Sequence, residues 1–136
     1  MGLIADERVL GLERLVITTA LGPVVVRAGR RAGGVALILV HGAAGSWTTW
    51  TPLIAYADAH GARLTDLVIP DLPGWGESAA PAWGTTGIAD YAAALRAIAL
   101  SLGYRRWLTA GQSLGGFLAL DLSAREPEAT ESVVLV

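Results

Sequence analysis

The stretch Trp107-Leu-Thr-Ala-Gly-Gln-Ser-Leu-Gly-Gly116 decides the fold of this chain of 136 residues. It begins as an apolar run, and apolar residues at helical spacing follow it. Gly111 and Gly115 stand two residues before and two residues after Ser113, where side chains would collide if a strand turned sharply into a helix. The stretch therefore predicts a strand, a tight turn that exposes a serine, and a helix over about 114–125.

Short apolar strands alternate with helices on the rest of the chain. Predicted strands cover about residues 35–40, 67–70, 107–110 and 132–136, and predicted helices cover about 48–60, 88–102 and 114–125. Because an unbroken aliphatic run such as Val35–Val40 is typical of a strand buried on both faces, we expect a mostly parallel sheet. Helices that alternate with parallel strands pack on both faces of the sheet, so the predicted fold class is α/β.

The chain is expected to form one domain over residues 1–136, with a parallel core at about 35–136. A β-rich hairpin at about 14–28 precedes this core, and Leu21-Gly-Pro23 is predicted to form its turn. The final run, Ser132–Val136, would be an exposed apolar sheet edge, which natural proteins avoid. Together with a hydrophobic content of 53%, this edge indicates a domain truncated after the strand that follows the serine helix.

Composition and charge exclude several classes of function. A net charge of −2 gives no support for nucleic-acid binding. The chain has no cysteine, hence no thiol nucleophile or thiolate metal site, and it has no lysine for Schiff-base chemistry. The apolar run Val35–Val40 is far shorter than a membrane span of about 20 residues, and Asp6 and Glu7 fall where a signal peptide needs apolar residues. We therefore expect a cytoplasmic protein without a membrane partner, a cofactor or a metal.

A segment rich in small residues, His41-Gly-Ala-Ala-Gly45, directly follows the predicted strand 35–40. In an open parallel sheet, ligands bind beyond the carboxyl ends of the strands. Small residues at such a position let backbone N–H groups approach a developing oxyanion closely. The segment is thus either part of a catalytic site or a simple glycine-rich connection.

Three motifs together resemble the α/β-hydrolase superfamily. They are HGAAG at 41–45, DLPGWGES at 71–78 and GQSLGG at 111–116, each placed after a predicted strand. They occur in the order of the family, and the resemblance covers about residues 14–136. It implies a serine hydrolase that forms an acyl-enzyme from a small ester, a thioester, a lactone or a related acyl substrate.

The resemblance also implies roles for individual residues. Ser113 would be the nucleophile, and the backbone N–H groups of Ala43 and Leu114 would form the oxyanion hole. The stretch Gly45-Ser-Trp-Thr-Thr-Trp50 is similar to members with small acyl or ring substrates. Relatives that act on epoxides or haloalkanes carry aspartate in place of this serine. Trp75, in the second motif, is a candidate for lining the acyl pocket.

A serine nucleophile needs a general base and an acid that orients this base. His41 lies at the expected mouth of the site and is a candidate base, although the resemblance implies that it supports its own loop. His60 is expected to end a helix, Asp121 to point away from the site, and Asp71 to bond nearby backbone N–H groups. We therefore expect the triad acid and base to lie outside this chain, and the chain alone to turn over negligible substrate.

Two alternatives to an active hydrolase stay open from the sequence. In the first, the chain is a catalytically inactive half-domain, or one that self-associates or is complemented by a partner through the edge Ser132–Val136. In the second, the reading frame is degraded and has no function. A well-folded monomer that does not aggregate in size-exclusion chromatography would argue against the first alternative.

Overall fold

The computed structural model describes residues 6–81 and 86–136. Within them the strands are β1 (Leu12–Thr19), β2 (Gly22–Gly29), β3 (Val35–Val40), β4 (Leu67–Pro70), β5 (Arg106–Gly111) and β6 (Thr130–Leu135). The helices are a 3₁₀ turn (Trp47–Trp50), α1 (Thr51–Ala59), α2 (Ile88–Ser101) and α3 (Leu114–Arg125). The strands form one sheet in the order β1-β2-β4-β3-β5-β6.

The sheet is mostly parallel. Strand β3 lies at its centre, parallel to both β4 and β5, and β6 continues the parallel part beside β5. Strands β1 and β2 form an antiparallel hairpin, and β2 is also antiparallel to β4. The predicted α/β class and the predicted hairpin are therefore confirmed. The carboxyl ends of β3, β4, β5 and β6 all meet at one edge of the sheet.

The turn of the hairpin differs from the prediction. Ala20 and Leu21 alone join the two strands, and Gly22 already pairs with Thr19. Two-residue connections are common in hairpins because their twist can match the right-handed twist of the strands. Pro23, predicted in the turn, lies in β2 at a position that β4 does not reach, so its missing N–H leaves no gap in the β2–β4 ladder.

The helix predicted over about 48–60 is divided in two. Residues Trp47–Trp50 form a 3₁₀ turn, and α1 begins at Thr51. The N–H of Thr51 bonds the carbonyl oxygen of Thr48 in the 3₁₀ pattern. Pro52 has no N–H to donate, so the chain cannot form an α-helical bond at that position. The proline therefore sets the point at which the tighter turn gives way to α-helix.

Strand β6 begins two residues earlier than predicted. Thr130, which lies outside the apolar run 132–136 that predicted the strand, pairs with Trp107 of β5. The Thr130 hydroxyl accepts the indole N–H of Trp107 (3.1 Å) and donates to the carbonyl oxygen of Glu126 (2.9 Å). These two side-chain bonds hold the start of β6 beside β5.

Two hydrophobic cores lie on the two faces of the sheet. The larger core joins buried residues of α2 and α3 to β2, β3 and β4. In the other core, Trp47, Trp50 and Ile54 pack with Leu39. Ile38 and Leu39, which are neighbours on β3, point into different cores, as the alternation of a strand requires. The expectation of helices on both faces is thus confirmed. No helix within the described ranges is long and apolar enough to cross a membrane.

At the amino ends of the parallel strands, Asp66 connects the segments that precede β3, β4 and β5. Its carboxylate accepts the N–H groups of Ala32 (3.2 Å) and Gly33 (2.9 Å) and the hydroxyl of Tyr104 (2.9 Å). Burial raises the pKa of Asp66, but these hydrogen bonds outweigh burial and bring the pKa down to about 2. Burial, followed by the bond to Asp66, raises the pKa of Tyr104 to about 12.

Candidate active site

The structure places Ser113 on a sharp turn between β5 and α3. Its backbone has a φ of 54° and a ψ of −119°, and such a positive φ costs a residue other than glycine about 1–3 kcal/mol. The flanking glycines make the turn possible. A Cβ at Gly111 would fall on the carbonyl group of Gly115, and a Cβ at Gly115 would fall on the carbonyl oxygen of Val40. Close backbone packing therefore enforces the strained serine conformation and leaves the side chain exposed.

The segment 41–45 lies directly against this turn. The N–H of Gly42 donates to the side-chain oxygen of Gln112 (3.2 Å). A Cβ at Gly42 would lie 2.7 Å from that oxygen and 3.1 Å from the Cβ of Ser113, so a side chain there would require Gln112 and the serine turn to shift. The structure thus brings the segment that contains Ala43 and the turn that contains Ser113 together at the carboxyl edge of the sheet.

Several backbone N–H groups at this edge donate to no acceptor among residues 6–81 and 86–136, and those of Ala43 and Leu114 are among them. Leu114 is the first residue of α3, and the first N–H groups of a helix have no acceptor within the helix. The helix dipole makes this end partly positive, which favours a negative charge near it. The arrangement can therefore accept an anion or a polarised oxygen.

Buried His41 holds the peptide that carries one of these N–H groups. Its Nδ1 lies 2.6 Å from the carbonyl oxygen of Gly42, and its Nε2 accepts the N–H of Leu72 (3.0 Å). Because a backbone N–H can only donate, Nε2 is unprotonated and Nδ1 carries the proton. Burial lowers the pKa of His41, so the ring is neutral. Since the peptide between Gly42 and Ala43 is trans, the Ala43 N–H points away from the carbonyl oxygen that His41 binds.

The candidate bases and acids of the sequence are engaged elsewhere. Both ring nitrogens of His41 are occupied by hydrogen bonds to the backbone of Gly42 and Leu72. These bonds favour a structural role for His41, which is to hold its loop in place. His60 ends α1, where its Nδ1 bonds a backbone carbonyl of the same helix (2.8 Å). Asp121 pairs with Arg125 along α3 (2.6 Å). Within the described residues, none of these side chains forms a hydrogen bond with Ser113.

The loop 71–78 is fixed by Asp71, as predicted. The Asp71 carboxylate accepts the N–H groups of Trp47 (2.7 Å) and Glu77 (3.0 Å). The Ser78 hydroxyl donates to the carbonyl oxygen of Asp71 (2.6 Å). The prediction that Asp71 bonds nearby backbone N–H groups is therefore confirmed, and this loop is tied to the 3₁₀ turn that follows the segment 41–45.

Sequence patterns did not reveal Arg27, a buried residue of β2 that supports the same loop. Its guanidinium lies 2.6 Å from the Glu77 carboxylate and 3.5 Å from that of Asp71. It also stacks over the ring of Trp47, 4.9 Å from the centroid. One feature of the sequence could have indicated this role, namely a single charged residue inside the apolar run of β2. A buried charge is kept only when it has partners, so such a residue predicts an ion pair.

Trp75, the candidate pocket residue, is half-buried on the inner side of the loop 71–78. Its ring packs edge-on against His41, with 6.3 Å between the ring centroids, and it contacts the larger core. It lines neither of two cavities at the carboxyl edge of the sheet, one beside the segment 41–45 and one beside Ser113. Its role in substrate binding stays a prediction.

Two open cavities lie at the carboxyl edge, and they differ in chemistry. One has a volume of about 490 Å³, lies beside the segment 41–45, and is lined in part by hydroxyl groups of Ser46, Thr48 and Thr49. The other has a volume of about 150 Å³, borders Ser113 itself, and is lined by Phe117, Leu120, Leu135 and Val136. The first cavity offers polar contacts, and the second is apolar.

Solved structures share this architecture. A naproxen esterase from Bacillus subtilis superposes with a TM-score of 0.78 at 27% identity, over 93% of this chain and 44% of the esterase. An N-acyl homoserine lactonase superposes with a TM-score of 0.76 at 25% identity, over 91% of this chain and 44% of the lactonase. This chain therefore corresponds to less than half the length of either protein.

Sequence comparison gives the same result. An uncharacterised protein of Mycobacterium tuberculosis (strain ATCC 25618 / H37Rv) is 33% identical over 111 residues, which make up 81% of this chain and 31% of that protein. The chain thus spans about a third of the length of the curated relatives that it matches. A family model described as the alpha/beta hydrolase fold matches residues 35–136, which contain all three motifs. The chain belongs to the alpha/beta hydrolase fold family.

Proposed function

We propose that this chain supplies the nucleophile and the oxyanion hole of a serine hydrolase that acts on small esters, thioesters or lactones. The observation that carries the proposal is the strained, exposed Ser113 beside the unbonded N–H groups of Ala43 and Leu114 in the described part of the chain. Strained backbone positions persist only where the surrounding structure enforces them, and they cluster at active sites. Here the enforcing structure is the close packing of Gly111 and Gly115.

In the proposed reaction, the hydroxyl oxygen of Ser113 attacks the carbonyl carbon of the substrate while a base takes the hydroxyl proton. The carbonyl oxygen becomes negative and accepts hydrogen bonds from the N–H groups of Ala43 and Leu114. Collapse of this intermediate forms the acyl-serine and breaks the bond to the alcohol or thiol, which leaves with the proton. Water, deprotonated by the same base, then attacks the acyl group and releases the acid and the serine.

Neutral His41 would act by positioning one of the two donors. Its Nδ1–H holds the carbonyl oxygen of Gly42, so the opposite side of the same peptide presents the Ala43 N–H to the substrate oxygen. A donor that is already oriented needs no reorganisation when charge develops, which is the source of most oxyanion-hole stabilisation. The general base and the acid are proposed to come from polypeptide outside this chain.

The substrate class rests on three observations. Serine stands at the turn where relatives that act on epoxides or haloalkanes carry aspartate. The matching structures include an esterase and a lactonase, which support an ester or lactone as substrate. The open cavity of about 490 Å³ beside the segment 41–45 is not lined by Ser113, but its volume is within the roughly 300–1,000 Å³ usual for small-molecule sites, so it offers room for the part of a small substrate away from the reacting carbonyl.

The test of this proposal is the position at which an activated ester acylates the chain. We expect p-nitrophenyl acetate to acetylate Ser113 about 10³-fold faster than Ser101, because an oxyanion hole still accelerates the reaction when the base is missing. Ser101 is a matched control, since it is also exposed and ends α2. Peptide mass spectrometry follows both serines in one sample, and Ser113→Ala verifies the assignment. Equal rates at the two serines would contradict the proposal, and rapid turnover would show that a base is present in this chain.

A further inference from the structure

The buried hydroxyl of Ser78 connects the loop 71–78 to strand β2. The pairing of β2 with β4 ends where Val26 meets Pro70, so the next residue of β2, Val25, has no partner in β4. The N–H of Val25 donates instead to the hydroxyl oxygen of Ser78 (2.9 Å), and its carbonyl oxygen accepts the N–H of Asp71 (2.9 Å). The Ser78 hydroxyl therefore takes the place of a strand partner.

The same hydroxyl continues the hydrogen bonding towards the site. It donates to the carbonyl oxygen of Asp71 (2.6 Å). Because the peptide after Asp71 is trans, the N–H of Leu72 points the opposite way, and it donates to Nε2 of His41 (3.0 Å). The Nδ1–H of His41 then bonds the carbonyl oxygen of the peptide that carries the Ala43 N–H (2.6 Å). These groups, from the Val25 N–H to the Ala43 N–H, are called here the Ser78 series.

All donors of the Ser78 series point in one direction, from β2 towards Ala43. A group that accepts a hydrogen bond becomes a stronger donor in its next bond, so the bonds of such a series strengthen one another. Bonds that only anchor a loop need no common direction. The carboxylate of Asp71, for example, accepts the N–H groups of Trp47 and Glu77 from two different segments. The common direction of the series indicates an effect at its end, the Ala43 N–H.

The interior of the protein makes this effect stronger. His41, Asp71, Leu72 and Ser78 are all buried. In an interior of low effective dielectric constant, a hydrogen bond is electrostatically stronger than in water and polarises its neighbours more. Burial also lowers the pKa of His41, which keeps Nε2 free to accept the Leu72 N–H. The Ser78 series is therefore complete while the ring is neutral.

We propose that Ser78 is a positioning residue of the oxyanion hole, and that its hydroxyl acts through Leu72 and His41 to orient and polarise the Ala43 N–H. This inference rests on the proposed function, because that N–H contributes to catalysis only if Ser113 attacks a carbonyl group. When negative charge develops on the substrate oxygen, the Ala43 N–H is already oriented and polarised, and no proton of the series has to move. Ser78 thus stabilises the transition state without touching the substrate.

The loop 71–78 has other anchors that do not involve the Ser78 hydroxyl. The Asp71 carboxylate binds the N–H groups of Trp47 (2.7 Å) and Glu77 (3.0 Å). The Glu77 carboxylate also lies 2.6 Å from the guanidinium of Arg27. Removal of the hydroxyl should therefore weaken the Ala43 donor and leave the loop folded.

The test compares Ser78→Ala with Thr130→Val, since each change removes one hydroxyl. The Thr130 hydroxyl is a matched control, because it also accepts an N–H (3.1 Å) and donates to a backbone carbonyl oxygen (2.9 Å), but at the start of β6. We expect Ser78→Ala to slow the acetylation of Ser113 by p-nitrophenyl acetate about 3- to 10-fold, a fraction of the roughly 10²- to 10³-fold cost of losing an oxyanion-hole donor. Thr130→Val should leave the rate unchanged, and Ser78→Thr, which keeps the hydroxyl, should retain most of it.

A spectroscopic signature separates positioning from a general loosening of the fold. In Ser78→Ala, the Leu72 N–H should bond His41 less strongly. The nitrogen NMR resonance of His41 Nε2 should then shift towards that of an imidazole nitrogen without a hydrogen bond. His60 is the internal reference, because its Nδ1 bonds a backbone carbonyl of α1 (2.8 Å), and its resonances should not move.

Two results would overturn the inference directly. One is an unchanged Ser113 acetylation rate in Ser78→Ala, and the other is an equal loss of rate in Thr130→Val. If Ser78→Ala does not fold, Ser78→Cys decides, because a thiol is a weak donor; an undiminished rate in that variant would overturn the inference as well.

The failure of the proposed function gives a different result. In that case Ser113 of the unsubstituted chain is acetylated no faster than Ser101. The His41 resonance still tests the Ser78 series, since it does not depend on any reaction. A shift in Ser78→Ala would then support the action of Ser78 on His41, and an unmoved resonance would overturn it.

Discussion

The two ends of the parallel sheet each hold a residue with the same unusual backbone angle. Asp66 at the amino ends and Ser113 at the carboxyl ends both have a φ of 54°. The Asp66 carboxylate is buried and accepts hydrogen bonds from Ala32, Gly33 and Tyr104. The Ser113 hydroxyl is exposed and forms no side-chain bond with another described residue. Side-chain hydrogen bonds compensate the strain at the first end, whereas at the second the close backbone packing around Gly111 and Gly115 enforces it and the side chain takes no part.

This difference distinguishes a strained residue that stabilises the fold from one whose strain is proposed to serve a site. Where the side chain of the strained residue is bonded, its removal should destabilise the protein. Where the side chain is free, removal of the strain should stabilise the protein, since the conformation contributes nothing to folding. Substitutions at the two ends should therefore change the free energy of unfolding in opposite directions.

The largest effect is expected from Gly115→Ala, which removes the packing that allows the serine turn. The new Cβ would fall on the carbonyl oxygen of Val40, and we expect a loss of about 3–4 kcal/mol in the free energy of unfolding. Gly116→Ala is the matched control, because its Cβ would meet its nearest neighbours at 3.5 Å. That change should stabilise α3 by about 0.5–1 kcal/mol. Urea unfolding measures both, and equal effects would contradict the packing argument.

At the amino end, Asp66→Ala should have the next largest effect. It removes the acceptor of the Gly33 N–H and the Tyr104 hydroxyl and places alanine at a φ of 54°. We expect a loss of about 3 kcal/mol, since each unsatisfied buried donor costs roughly 1–3 kcal/mol. Asp66→Asn keeps one oxygen acceptor and a residue type that tolerates this φ, so its loss should be smaller. A neutral effect of Asp66→Ala in urea unfolding would show that this network does not stabilise the fold.

The sequence predicted the carboxyl end of the sheet better than the amino end. The serine turn depends on glycines within two residues of Ser113, and such a local spacing is visible in a single sequence. The Asp66 network joins residues 32, 33, 66 and 104, which no short pattern connects. The same reason hid Arg27, whose partners Trp47, Asp71 and Glu77 lie 20, 44 and 50 positions away in the chain. The 3₁₀ turn at Trp47–Trp50 was missed because apolar spacing does not distinguish it from α-helix.

Low pH should lower the free energy of unfolding by protonating Asp66 at the amino ends of the strands. Its pKa falls from 3.8 to about 2 on folding, so the bonded carboxylate contributes about 2 kcal/mol above pH 3.8 that is lost as the pH falls towards 2. Urea unfolding at pH values from 6 to 2 measures how the free energy of unfolding depends on pH. The Asp66→Asn variant should lack the part of this dependence that comes from Asp66. If the two proteins lose stability in parallel between pH 4 and pH 2, the low pKa of Asp66 is contradicted.

The smallest effect, and the one of opposite sign, is expected from Ser113→Gly. Glycine adopts a positive φ without the strain of about 1–3 kcal/mol, although it loses more backbone entropy on folding, so we expect a net gain of about 1 kcal/mol. Ser113→Ala is the control, because it removes the hydroxyl but keeps the Cβ and therefore the strain. If glycine stabilises the chain and alanine does not, the strain belongs to the backbone conformation that presents the hydroxyl. If both variants match the unsubstituted chain in urea, the turn holds no strain, and backbone strain at Ser113 no longer supports a functional role for this residue.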